Sequence, residues 1–125
     1  MMRRKNKITV EEFKVEMNEL TAGAKATVEK TKQEVLKKVG RSLVSDRAAK
    51  AFQYGGDLYN ESIRLKLALC EVDDAYFRVK VDKKDFDAKQ EVQNVRDKTI
   101  WELEELLKKV TNMKRAMTML DNVCH

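Results

Sequence analysis

The sequence has no proline, and its four glycines are Gly23, Gly40, Gly55 and Gly56. With so few helix-breaking residues, long stretches can run as uninterrupted helix. Cysteine occurs twice, at Cys70 and Cys124. That is too few and too widely spaced for a disulfide framework, and it fits a reducing, cytoplasmic setting. The one histidine, His125, is the last residue, so a Ser-His or Cys-His catalytic device has no rigid place to sit. Cys124 and His125 together supply only half of the ligands of a structural zinc site. There is no P-loop and no GxGxxG. Asp82, Asp85 and Asp87 lack the glycine-bearing turn of an EF-hand, and with Asp73 and Asp74 they read as solvated charge. No apolar run approaches the roughly 18 residues of a membrane span, and the N-terminus has no signal-peptide core. These absences point to a noncatalytic protein with no cofactor and no metal.

What is present is charge and periodicity. Charged residues make up 38% of the chain, and they are largely good helix formers. The expected fold class is all-α: long amphipathic helices in an antiparallel helical bundle or coiled coil. The net charge is +5, to which Arg3, Arg4, Lys5 and Lys7 contribute four. Residues 1–7 read as a basic arm, and 8–125 as one helical domain. The arm is either a solvated tail or a contact for anionic lipid or nucleic acid phosphate.

The first helix is marked by a capping box, with Thr9 at the N-cap and Glu12 three residues on, and by a hydrophobic staple of Ile8 and Phe13. Its stripe runs Val10, Phe13, Met17, Leu20, Ala24, Val28, Thr31, Val35 and Val39. Gly40 sits where a C′ glycine would end it, and Gly23 suggests a close helix approach at mid-length. Ser45 can cap a short helix. Gly55 and Gly56 then either bend the chain or are absorbed into a helix.

Residues 58–122 hold neither glycine nor proline and carry the longest stripe. Leu65, Leu69, Val72, Tyr76, Val79 and Phe86 lead into Val95, Leu103, Leu106 and Val110, mostly in alternating steps of three and four. These ten are the expected core and dimer interface. As one helix the stretch would reach near 100 Å, too long to be buried in its own domain. Its partner is then another long helix of this chain or of a second copy. Residues 80–91 differ, because the stripe thins and changes phase there. A straight solvated helix, a kink or a hairpin turn each accounts for this, with the lack of glycine and proline counting against a tight turn.

Trp101 lies off the stripe, so it either widens the buried face or marks a second interface or a lipid-facing aromatic. Lys108, Lys109, Lys114 and Arg115 form a second basic cluster. Glu104 and Glu105 are placed to pair with Lys108 and Lys109 at i,i+4. Unneutralised, the cluster is a candidate membrane-binding face together with Arg3, Arg4, Lys5 and Lys7.

Four segments, in order, carry a family resemblance. Residues 9–38, TVEEFKVEMNELTAGAKATVEKTKQEVLKK, are similar to the first helix of BAR domains of the endophilin type. Residues 54–60, YGGDLYN, resemble that family's aromatic-glycine segment. Residues 68–75, ALCEVDDA, resemble its ALxEVxxA start of helix two. Residues 92–110, VQNVRDKTIWELEELLKKV, match its QN, DK and LKK elements. The resemblance implies a BAR-like antiparallel dimer whose basic face, including Lys108, Lys109 and Lys114, binds anionic phospholipid and senses or produces curvature, as in endocytosis. It implies a cytoplasmic, peripheral membrane location. The family's helix-two proline would fall near Glu91 and is absent, and the seven residues before Ile8 are too few for an insertion helix. On this alignment the chain stops before a third helix. The alternatives are a coiled-coil adaptor or scaffold subunit without lipid binding, partnered by itself or a related helical protein, and a nucleic acid binder acting through the arm.

Overall fold

The first helix starts where its capping box places it. The Thr9 N–H donates to Glu12 Oε1 at 2.8 Å, and the Glu12 N–H donates to Thr9 Oγ1 at 3.1 Å. Two donors that a helix start leaves open are thereby satisfied. The computed structural model describes the backbone of residues 7–41 and 44–124 and the side chains of 7–35 and 57–115. In it α1 spans Val10–Arg41, α2 spans Val44–Arg78 and α3 spans Phe86–Cys124, with 32, 35 and 39 residues. At 1.5 Å per residue the three are about 48, 52 and 58 Å long. Arg3, Arg4, Lys5 and His125, and the side chains of Val39, Met117 and Leu120, lie outside the described residues.

Two expectations about glycine change, at Gly40 and Gly23, and for Gly55 and Gly56 one of the open alternatives holds. α1 continues through Gly40 to Arg41. Gly55 and Gly56 are absorbed within α2, which also takes in the segment after Ser45. Gly23 makes no close approach, because a Cβ there would meet nothing within 4 Å.

The larger correction concerns residues 58–122, which are not one helix. α2 ends at Arg78 and α3 begins at Phe86, so the chain turns back between them. Two aspartates make the turn without glycine or proline. Asp82 Oδ1 accepts from the Lys84 N–H at 2.9 Å, and the Asp82 carbonyl accepts from the Asp85 N–H at 3.0 Å. Asp85 then caps α3, its Oδ1 accepting from the Ala88 N–H at 3.0 Å. Short acidic side chains compete for backbone donors in this way and favour turns and N-caps over helix interiors. A tertiary contact adds to it. The Ile8 N–H donates to the Arg78 carbonyl at 2.9 Å, and the Lys80 N–H donates to the Ile8 carbonyl at 2.8 Å. Ile8 and Val79 thus form a parallel bridge that straps the root of the N-terminal arm to the hairpin.

Side-chain contacts between the helices fix the topology. Arg78 of α2 pairs with Glu16 near the start of α1 at 3.0 Å, so these helices are antiparallel. Arg96 of α3 pairs with Asp73 of α2 at 3.2 Å, and Lys114 lies 4.8 Å over the Tyr59 ring. Moving forward along α3 means moving backward along α2, so this pair is antiparallel too. Lys14 pairs with Glu91 and Lys25 with Glu102, which makes α1 and α3 parallel. The Glu91 hydrogen bond, with Glu11 adding to it, raises the Lys14 pKa above the ordinary lysine value. The result is an up-down-up three-helix bundle.

Each helix turns one stripe inward. Phe13, Met17, Val28 and Val35 come from α1, Leu58, Leu65, Ala68, Val72 and Ala75 from α2, and Val92, Leu103, Leu106 and Val110 from α3. Leu69, Tyr76, Val79 and Val95 pack against this core, half-buried. Phe13 meets Tyr76 at 6.4 Å between ring centroids, and the Arg96 guanidinium covers the same Tyr76 ring at 4.9 Å. Phe86 departs from the expected core: at the first residue of α3 it is 75% exposed. Trp101 does not widen the buried face, since it too is mostly exposed.

Candidate functional site

The hairpin end gathers residues that the sequence keeps apart. The strap brings Lys7 to the end of α2, across from Arg78 in the parallel register, and the turn adds Lys80, Lys83 and Lys84, with Lys89 one turn into α3. All five are exposed. Two large aromatics sit among them. Phe77, in the last turn of α2, is 78% exposed and meets the Tyr76 ring edge-on, at 6.3 Å between centroids. Phe86 has the Lys89 ammonium 5.5 Å over its ring. Of the acids here, Asp82 and Asp85 turn carboxylate oxygens onto backbone N–H groups. Among the described residues no carboxylate pairs with Lys7, Lys80, Lys83, Lys84 or Lys89.

The basic cluster named from the sequence is dispersed. Lys108 points outward and bonds to Glu105 at 3.1 Å, an i,i+3 pair in place of the expected i,i+4 partner Glu104. Lys109 faces α1. There it borders a groove of about 420 Å³ with Lys25, Glu29 and Lys32, floored by Val28, Leu106 and Met113. Lys114 faces α2 over Tyr59, and Arg115 is exposed. Two adjacent pairs on one helix therefore serve three directions. Lys109 also lies about 35 Å along α3 from the hairpin. The cluster and Lys7 therefore do not share one small patch.

Sequence reasoning passed over Phe77, Lys80, Lys83 and Lys84. The signal available was the thinning of the stripe over 80–91, where apolar residues stop pointing at a core while Phe86 stays large and apolar. Among the described residues, no helix is long and apolar enough to cross a membrane. Comparisons of the chain with protein-family models, with curated proteins and with solved structures find no match.

Proposed function

We propose that this is a noncatalytic helical protein that associates peripherally with anionic membranes, and that the hairpin end is the part that meets the lipid. The observation carrying this reading is the pair of exposed phenylalanines, Phe77 and Phe86, set among five unpaired lysines. Removing a phenylalanine side chain from water is favourable by about 1.5–3 kcal/mol. Each lysine near an anionic surface adds about 1 kcal/mol. Durable peripheral attachment requires both kinds of signal, and this end of the bundle offers both. Arg3, Arg4 and Lys5 precede Lys7 in the chain and carry charge of the same sign. The BAR-like features of dimerisation and curvature sensing would build on this attachment.

Co-sedimentation with phosphatidylserine-containing vesicles and with pure phosphatidylcholine vesicles tests the reading. The chain pellets with the former, less so at high salt, and not with the latter. Phe77→Ser with Phe86→Ser, or Lys83→Glu with Lys84→Glu, lowers pelleting severalfold. Lys108→Glu with Lys109→Glu has the smaller effect. Loss of pelleting only in the Lys108/Lys109 variant would move the lipid contact to α3. Equal pelleting with both lipids, or with none, would remove the lipid reading.

A second reading, a helical adaptor without lipid binding, is favoured by the outward face of α2. Tyr59, Ile63 and Leu67 follow one another at four-residue steps and are exposed. That face lies opposite the stripe that α2 buries.

A further inference from the structure

The stripe expected to serve as a dimer interface is spent inside the bundle, where Leu65, Val72, Leu103 and Val110 are among the residues it buries. A dimer therefore needs another face. Among the described residues, four of the seven exposed large apolar side chains lie on α2: Tyr59, Ile63, Leu67 and Phe77. The outward residues of α2 fall into a heptad. Asn60, Leu67 and Asp74 take one seam position and Ile63, Cys70 and Phe77 the other, in alternating steps of three and four, and all six are exposed. Leu65 and Val72 lie on the opposite side of the helix, against the core. Leu67 also borders the groove that α1 and α2 leave beside Gly23. Asp74, the one acid in the seam, is bound by Arg78 of its own helix at 3.3 Å. Charges of both signs flank the seam. On one side Lys66 is followed seven residues on by Asp73, and on the other Arg64 is followed by Glu71. Lys66 and Glu71 make no ion pair among the described residues. Arg64 and Asp73 remain exposed beyond their pairs with Glu61 and Arg96.

We propose that this face of α2 pairs with the same face of a second copy, the two helices antiparallel about a two-fold axis midway between Leu67 and Cys70. Such an axis sets each flank against its own reverse. Lys66 then meets Asp73 of the second copy and Arg64 meets its Glu71, and each contact occurs twice. In the seam Leu67 meets Cys70, and Asp74 meets Ile63. A parallel pair would set Asp74 against Asp74, which antiparallel pairing avoids. The charges also argue for this occupant over a lipid surface. Two basic and two acidic flanking residues sum to zero, so the face gains nothing from an anionic membrane, and the surface complementary to it is its own two-fold copy. The contact is one helix face about 27 Å long, small beside the roughly 800 Å² per partner of a standard interface, so the dimer is weak and depends on concentration. The inference rests on the adaptor reading of this face, for which it names the partner, and not on lipid binding. Phe77 belongs to both surfaces, so it is left unaltered in the test and the two readings fail separately.

Sedimentation equilibrium of the full chain under reducing conditions, from micromolar to millimolar, tests the pairing. The chain is expected to pass from monomer to dimer across this range. Leu67→Glu, at an exposed position, should weaken association at least tenfold, about 1.4 kcal/mol, with an unchanged circular dichroism spectrum. Lys66→Glu and Glu71→Lys should each weaken it severalfold. The double variant keeps the net charge and should weaken it further, because each flank then meets its own sign. In a parallel pair Lys66 would face Glu71, and the double variant would restore association. Trp101→Ala on α3 should leave the dimer unchanged. A chain that stays monomeric, a dimer indifferent to Leu67→Glu, a dimer lost on Trp101→Ala, or a double variant that associates as the unaltered chain does would each overturn the proposal. A monomeric chain would still leave the adaptor reading standing, because that reading needs only some helical partner.

Discussion

Replacing Asp82 and Asp85 together by alanine isolates the forces that turn the chain back between α2 and α3. Each carboxylate accepts one backbone N–H at 2.9–3.0 Å, from Lys84 and from Ala88 respectively. Losing an N-cap aspartate costs about 1 kcal/mol, and losing the Asp82 bond costs about as much. Neither side chain belongs to the buried core, so no cavity adds to the loss. The pair should therefore lower stability by about 2 kcal/mol. With about 2.1 cal/mol/K of unfolding entropy per residue, a chain of this length should melt about 8 °C lower. Thermal melts followed by circular dichroism at 222 nm check this. Urea titration should show a lower midpoint with an unchanged slope if compactness is kept. The single variants should each show roughly half the loss, although two sites this close can couple. A fall of less than about 2 °C, or a rise, would refute the reasoning. The turn would then be held by the Ile8 strap and by helix packing, with the carboxylates as bystanders.

Two further outcomes follow from the packing. Gly23→Ala should raise stability by up to about 1 kcal/mol, because alanine is the better helix former and the added methyl meets open space. A lower melting temperature would mean that the groove closes on Gly23 in solution. Leu103→Ala, at a fully buried position, should cost about 2–5 kcal/mol. Trp101→Ala, two residues away on the exposed face, should stay within about 0.5 kcal/mol. Equal losses at the two positions would mean that α3 is rotated about its axis.

Much of the fold is legible along the chain because its causes are local. The Thr9–Glu12 capping box acts within a single turn, and both of its hydrogen bonds are present. The helical spacing of Leu65 and Val72 on α2, and of Leu103, Leu106 and Val110 on α3, is a property of each helix by itself, and all five are buried. Phe86 shows the limit of that reasoning. It keeps the apolar character of the stripe, but it falls on the first residue of a new helix, where no neighbouring helix covers it. Gly23 shows another limit. A small residue in a stripe is compatible both with close contact and with a gap, and only the neighbouring helix decides between them.

The site was less legible than the fold. Lys108, Lys109, Lys114 and Arg115 are neighbours in sequence, and a helix spreads neighbours around its circumference. Lys7 and Lys80 are far apart in sequence, and the Ile8–Val79 bridge brings both to the hairpin end.

By itself, the sequence determined that the chain is helical, where α1 begins and which stripes are buried. Propensity, capping and periodicity act over a few residues and survive any arrangement of the helices. The tertiary structure decided that residues 58–122 fold back and do not run on. Over 79–85 the aspartates lean toward a turn and the lack of glycine and proline toward a helix, so local preferences do not decide between a straight helix and a hairpin. The two differ in whether the stripes of α2 and α3 are buried on each other and whether Ile8 finds the end of α2. Those contacts join residues distant in the chain, and no local pattern records them.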